Sequence, residues 1–223
     1  MRNFAMPRTF LDHIAVTALS LEAGNAFVTE CLGVVPQAGG EHPRMGTHNS
    51  LLRLGDTTYL EVIAPNPAAP PPTRPRWFAL DCLTPQSPPC LSAWVVRTPD
   101  IHATAAAASE NLGVVESMSR GTLNWLITIP ADGSIPLASG APALIEWQAA
   151  NHPAANLEDK GLSLAALEII HPDPDRLTRL VSSLQLEAPV SVVPTASAAT
   201  TRLIAHINTP QGMRVLSAPH AIP

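Results

Sequence analysis

Charge is scarce in this chain: Asp, Glu, Lys and Arg together make up 14% of 223 residues, against roughly 25% in an ordinary soluble domain. The few basic residues are scattered singly, and the formal net charge is −5. No basic stripe exists to neutralise a phosphate backbone, so nucleic acid is excluded as a partner. Long apolar runs are lacking too. None approaches the roughly 20 residues that cross a bilayer, and MRNFAMPRTFLDH carries no signal-peptide core, so no membrane partner and a cytoplasmic location are expected. Cysteine is rare and odd in number: Cys31, Cys82 and Cys90 show no CxxC or zinc-ribbon spacing, and buried reduced thiols are expected instead of a disulfide framework. GxSxG, Walker A, GxGxxG and HExxH patterns are all missing, which removes the commonest hydrolase, kinase and dehydrogenase motifs and any nucleotide cofactor they would bind. What is abundant is hydrophobic residues, 46%, and proline, 24 in all. That mixture implies a globular protein of short elements and many loops.

The chain also repeats itself. Phe10 to Val35 (FLDHIAVTALSLEAGNAFVTECLGVV) lies over Cys90 to Val115 (CLSAWVVRTPDIHATAAAASENLGVV) at a constant offset of 80, and LGVV recurs at Leu32 and Leu112. Each copy reads as a strand, a helix of helical-spaced apolar residues, and a glycine stop, Gly33 or Gly113. Thr98 and Pro99 are read as the N-cap and first turn of the second helix. Three strand-like runs follow in each copy. They include THNSLLRL and TYLEVIA in the first, and Val114 to Met118, LNWLITI and ALIEW in the second, with an insertion at PADGSIPLASGAP. A third, weaker copy starts near Leu162, with Asp173 and Pro174 opening its helix and VSVV, RLIAHI and MRVL as its strands. The expected fold is α+β: tandem βαβββ modules over 9–65 and 88–150, and a βαβββ-like unit over 160–219, with helices near 20–32, 99–112 and 174–185. An odd module left without an internal partner would pair with its twin, so a homodimer is expected.

Paired βαβββ modules with His13 on the first strand (LDHIAV) and Glu61 on the fourth (YLEVIAP) resemble the vicinal oxygen chelate superfamily, which includes glyoxalase I, extradiol dioxygenases and bleomycin-resistance proteins. The run LGVVPQAGGEHPRMGTHNSLLRLGDTTYLEVIAP is similar to bacterial glyoxalase-like domain proteins. The resemblance implies a cupped sheet with a divalent metal (Zn, Mn, Fe or Ni) held by His13, Glu61 and Glu146 of LIEW. Its fourth ligand position falls on Ala93, which binds nothing. That leaves a weaker site, a replacement ligand from His42 or His48, or no metal.

Strand alternation puts Tyr59, Glu61 and Ile63 on one face and Leu60, Val62 and Ala64 on the other, and turns His13 to the side of Glu61. A mixed nitrogen and oxygen set would polarise a carbonyl or activate water, with Glu61 or Glu146 as the base. His13 equally reads as a hydrogen-bonded cleft residue, and the glutamates as partners of arginines such as Arg53 or Arg97. The Gly39 to Asn49 segment would lie at the mouth of the cup, offering His42, Arg44, His48 and Asn49 to a small-molecule substrate. Trp147 and the other tryptophans, Trp77, Trp94 and Trp125, would either line an apolar pocket or pack in the core. His102, His152, His171, His206 and His220 read as surface or capping residues. Two functions follow: a metal-dependent lyase, isomerase or dioxygenase acting on a small oxygen-rich metabolite, or a metal-free protein that sequesters a small ligand.

Overall fold

The computed structural model describes residues 7–149, 151–195 and 201–218. The first module runs β1 (Thr9–Thr17), α1 (Leu21–Leu32), β2 (Gln37–His42), β3 (Thr47–Arg53) and β4 (Tyr59–Pro65). The second runs β5 (Cys90–Arg97), α2 (Ile101–Ala107), β6 (Val114–Arg120) and β7 (Leu123–Ile129). The short α3 (Pro136–Ser139) lies in its insertion, and β8 (Ala143–Trp147) closes it. Both first helices start on a side-chain cap, Ser20 accepting from Ala23 N and Asp100 from Ala103 N. The second cap therefore lies two residues beyond the expected Thr98, whose hydroxyl instead accepts from Asp100 N. Gly33 takes the left-handed conformation that ends α1, whereas α2 already stops at Ala107, short of Gly113.

One sheet holds both modules in the order β2-β3-β4-β1-β5-β8-β7-β6. In each module the fourth strand pairs parallel with the first, and the modules meet where β1 runs antiparallel to β5. The register pairs His13 with Val95 and Ala15 with Ala93. The offset of 80 carries His13 to Ala93 and Ala15 to Val95, as a pseudo-twofold between the strands requires. The register slips once on each strand, between Leu11 and His13 and between Val16 and Ala15 on β1, the latter passing over Ser92 on β5. Asp12 and Ser92, again 80 apart, are the bulged residues.

The third unit comprises β9 (Ser163–His171), α4 (Pro174–Ser183), β10 (Leu186–Glu187), β11 (Val190–Pro194), β12 (Arg202–Thr209) and β13 (Gly212–Ser217). It keeps the element order of a module, apart from the two-residue β10, which adds to the edge of β1. Its wiring differs: the sheet order is β11-β9-β12-β13, so β9 pairs with its second and third strands and not with its last. This sheet packs on the helix side of the main sheet. Leu167, Ile169, Leu203, Ala205 and Ile207 join Ile14, Val16, Val28, Leu32, Val62 and Trp94 in one continuous core. The third unit is thus partnered within its own chain, and the argument for a dimer from an unpaired module lapses. Helix α1 sits so close to β4 that a Cβ on Gly24 would lie 2.4 Å from Val62 Cγ1, which only glycine permits. With helices and the third unit covering one face, the other face of the main sheet is left to curve into a cleft.

Candidate active site

The concave face holds a cleft of about 450 Å³ of empty space, a figure that counts the solvent at its open mouth. One wall comes from the first module: His13, His42, Asn49, Leu51, Tyr59 and Glu61. The facing wall is Arg120, Trp125, Ile127, Ile145 and Trp147 of the second module, and Trp77 and Phe78 of the linker close a side. The β1 bulge is what makes the polar wall chemical. On a regular strand Asp12 and His13 would point to opposite faces; the bulge lets both serve the cleft.

Asp12 is wholly buried and accepts three hydrogen bonds: from His13 Nδ1 at 2.6 Å on Oδ1, and from Trp147 Nε1 and His152 Nε2, each at 2.8 Å, on Oδ2. Burial alone would raise its pKa, but the bonds from the two imidazoles and their charge hold the carboxyl well below the usual range. The ionised Asp12 holds the His13 ring through Nδ1–H and sets Nε2 facing Glu61 Oε2, 3.6 Å away. Tyr59 stacks on the His13 ring with centroids 4.5 Å apart; burial, then the charges of Asp12 and Glu61, push its phenol far above the normal range. Glu61 Oε1 accepts from Asn49 Nδ2 at 2.6 Å, and Asn49 Oδ1 accepts from Arg120 Nη1 at 3.2 Å. His42 lies against Thr47 Oγ1, Trp77 and Trp125. Burial, reinforced by the charges of Arg120, His13 and His48, pushes it down to about 3, so it is a neutral ring at ordinary pH.

Of the residues expected in the site, His13, His42, Asn49, Glu61 and Trp147 line the cleft. Glu146 does not. Ile145 and Trp147 face the cleft, so alternation sends Glu146 to the helix side, where Oε2 accepts from Ile101 N at the start of α2. The true counterpart of Glu61 follows from the register: Glu61 lies beside Ala15, and Ala143 beside Val95. The insertion before β8 hides this in the sequence. His48 is likewise on the outer face of β3, since alternation sets it opposite Asn49. Arg44 turns away to ion-pair with Glu116 and to donate to Ser117 O. The segment expected as a mouth loop is mostly the strands β2 and β3. Arg53 binds Asp56, and Arg97 donates to the carbonyls of Leu11 and Thr57, so neither neutralises a cleft carboxylate. Trp94 is core, donating to Gly140 O on the helix side. His171 is a buried capping residue, and His220 lies outside the described residues.

Sequence reasoning missed Asp12, His152 and Arg120. Asp12 stood in the quoted LDHIAV, but on a regular strand alternation sets it on the face opposite His13. His152 is the capping residue expected, accepting from Ala154 N at the 3-10 turn Pro153–Asn156; what was missed is that its Nε2 reaches Asp12, from a linker that packs Ala154 and Leu157 on Leu51 and Tyr59.

The divalent metal implied by resemblance does not fit these residues. Both second-module ligand slots are alanine, Ala93 and Ala143, in an apolar cluster. Glu146 faces away, and His13 Nδ1 and His152 Nε2 are committed to Asp12. Among the described residues no three His, Cys, Asp or Glu side chains are grouped to hold a metal ion.

Two βαβββ modules joined across their first strands, with a cleft on the concave face, define the vicinal oxygen chelate class. A family model described as a glyoxalase-like domain matches residues 11–185, and the chain belongs to that family. Among solved structures it is similar to a hypothetical protein from Staphylococcus aureus, at 13% identity, with 84% of this chain and 86% of that one covered and a TM-score of 0.59. It is also similar to a methylmalonyl-CoA epimerase in complex with methylmalonyl-CoA and NH4+, at 19% identity, 67% and 100% coverage and a TM-score of 0.44. The methylmalonyl-CoA epimerase from Mycobacterium tuberculosis gives 17%, 61% and 85%, and 0.39. No curated protein matches the sequence. Among the described residues no helix is long and apolar enough to cross a membrane.

Proposed function

We propose that the protein is an acid–base enzyme of the isomerase or lyase type, moving a proton on carbon next to the carbonyl of a small substrate. The observation that carries this reading is the line Asp12, His13, Glu61 at the floor of the cleft. Asp12 positions His13 and stabilises the imidazolium that forms when Nε2 takes a proton, the role a buried carboxylate plays behind a catalytic histidine. The C–H bond breaks, its electron pair moves onto the carbonyl oxygen as an enolate, and the proton resides on Nε2 until it returns to the same or a neighbouring carbon. Glu61 Oε2 is the second proton carrier beside it. The buried indole N–H of Trp77, which has no partner among the described residues, supplies a donor to the developing oxyanion. Because the donors for a redox metal are not assembled, a dioxygenase reading has no support from the site. The free thiols of Cys31, Cys82 and Cys90 support a cytoplasmic location.

The aromatic lining by Trp77, Phe78, Trp125 and Trp147 favours a second reading, a ligand-sequestering protein. Solvent-deuterium exchange separates the two. Protein incubated in D2O with small carbonyl compounds should label the carbon next to the carbonyl, and His13→Ala should abolish labelling. Tight binding with no labelling of any compound would leave sequestration as the function.

A further inference from the structure

We propose that the cleft selects substrates carrying a carboxylate beside the reacting carbonyl, as in short 2-oxo acids, and that Arg120 is the anchor for that carboxylate. The proposal deepens the proton-transfer reading and rests on it for the carbonyl half of the substrate. Arg120 ends β6 and reaches from the second module across to β2 of the first. Its path is cleared by glycine: a Cβ on Gly40 would lie 2.7 Å from Arg120 Cδ and 3.2 Å from its Nε. Gly39 does the same for Asn49, where a Cβ would stand 2.1 Å from Oδ1. The paired glycines of GGEH thus make room for the side chains that bring a guanidinium to the cleft.

That guanidinium is uncompensated. Among the described residues its side-chain bond is to Asn49 Oδ1, and none of their carboxylates forms an ion pair with it. Glu116, on the same strand and four residues back, is taken up by Arg44 and Arg74. Glu61, the carboxylate of the cleft, is bonded to Asn49. His42 beside them is neutral and cannot compete for an anion. A planar fork with free donors at the edge of an aromatic, half-enclosed cleft is matched in geometry and charge by a carboxylate. With the carboxylate on Arg120, the adjacent carbonyl would reach toward the floor, where His13 and Glu61 stand.

Binding to the intact protein is read by the fluorescence of the cleft tryptophans, with pyruvate as the acid and methyl pyruvate as its neutral ester. Wild type should bind pyruvate at least tenfold more tightly than the ester. Arg120→Met should lose that preference while keeping ester binding, and Arg120→Lys should retain part of it. Should Arg120→Met not fold, Gly40→Ala, which pushes on the arginine stem, is expected to weaken pyruvate selectively. Equal affinity for acid and ester, no pyruvate binding, or a preference that survives in both Arg120→Met and Gly40→Ala overturns the anchor. Arg120-dependent pyruvate binding with no deuterium entering the methyl group leaves the anchor standing and overturns the proton-transfer reading. Equal deuterium exchange in acid and ester does the reverse.

Discussion

The two modules share a backbone and differ in chemistry. At the three pseudo-equivalent positions that face each other across the twofold, the first has Asp12, His13 and Glu61 where the second has Ser92, Ala93 and Ala143. Asp12 gathers two imidazoles and an indole N–H, whereas Ser92 makes one hydroxyl contact with Thr17 at 2.8 Å. The duplicated scaffold therefore carries a polar half facing a wall of Trp125, Ile127, Ile145 and Trp147, with Arg120 at its rim. Fold and bulge are common to both halves; the imidazole and carboxylates at the cleft floor come from one.

The largest expected break in that comparison is at the bulge. Asp12→Ala removes the partner of three buried donors, and loss of one side of a buried charged network costs about 3–5 kcal/mol. Ser92→Ala, at the equivalent bulge, loses one neutral bond, about 0.5–1.5 kcal/mol. Urea denaturation of the two variants checks the difference, and similar losses would mean that the halves are not energetically distinct. Asp12→Asn should retain more stability yet lower deuterium exchange about 10²- to 10⁴-fold by misdirecting the His13 proton.

A second difference is in pH dependence. His42 titrates at about 3 in the fold and near 6.5 in the unfolded chain, so its neutral form is the one the fold favours. Its contribution is fully present above about 6.5 and is lost as pH falls toward 3, because the unfolded state takes up the proton first, at about 1.4 kcal/mol per pH unit. Asp12, also depressed, keeps its contribution down to about pH 4 and loses it below that, where the unfolded carboxyl takes up its proton first. Denaturation midpoints between pH 6 and 4 should therefore decline in wild type and decline less in His42→Gln.

The sequence made the strands, the repeat and the first-module half-site legible, because alternation in YLEVIAP and the offset of 80 are local signals. Three things were not local. The bulge that sets Asp12 behind His13 and Trp147 is a property of pairing between β1 and β5. The 13-residue stretch between β7 and β8 shifted the match for Glu61 onto Glu146, when the register gives Ala143. The third unit's strand order depends on which edges its own sheet can pair, which apolar patterning does not encode.

Restoring the lost imidazole tests whether the second half has specialised as a wall. Ala93 is 1% exposed in a cluster with Trp77, Phe78 and Ile145. Ala93→His should destabilise by about 1–3 kcal/mol through overpacking, with no gain in exchange. His13→Ala should abolish exchange instead. Calorimetry and labelling on the pair give the answer, and a stable Ala93→His variant that binds zinc would show that the half-site was only dormant.

The smallest expected effect belongs to Glu146, which the sequence presents as the twin of the other fourth-strand glutamate, Glu61. Glu61→Gln removes a carboxylate 3.6 Å from His13 Nε2 and should lower exchange about 10²-fold or more, the usual range for a proton carrier. Glu146→Gln keeps an amide oxygen that still accepts from Ile101 N at the start of α2, so the cost is the charge at a seven-residue helix, about 0.3–1 kcal/mol. Exchange and pyruvate affinity should be unchanged in that variant, since its side chain and the cleft lie on opposite faces of β8. A loss of exchange in Glu146→Gln matching that in Glu61→Gln would return Glu146 to the site and set aside the register that assigns Ala143 as the counterpart of Glu61.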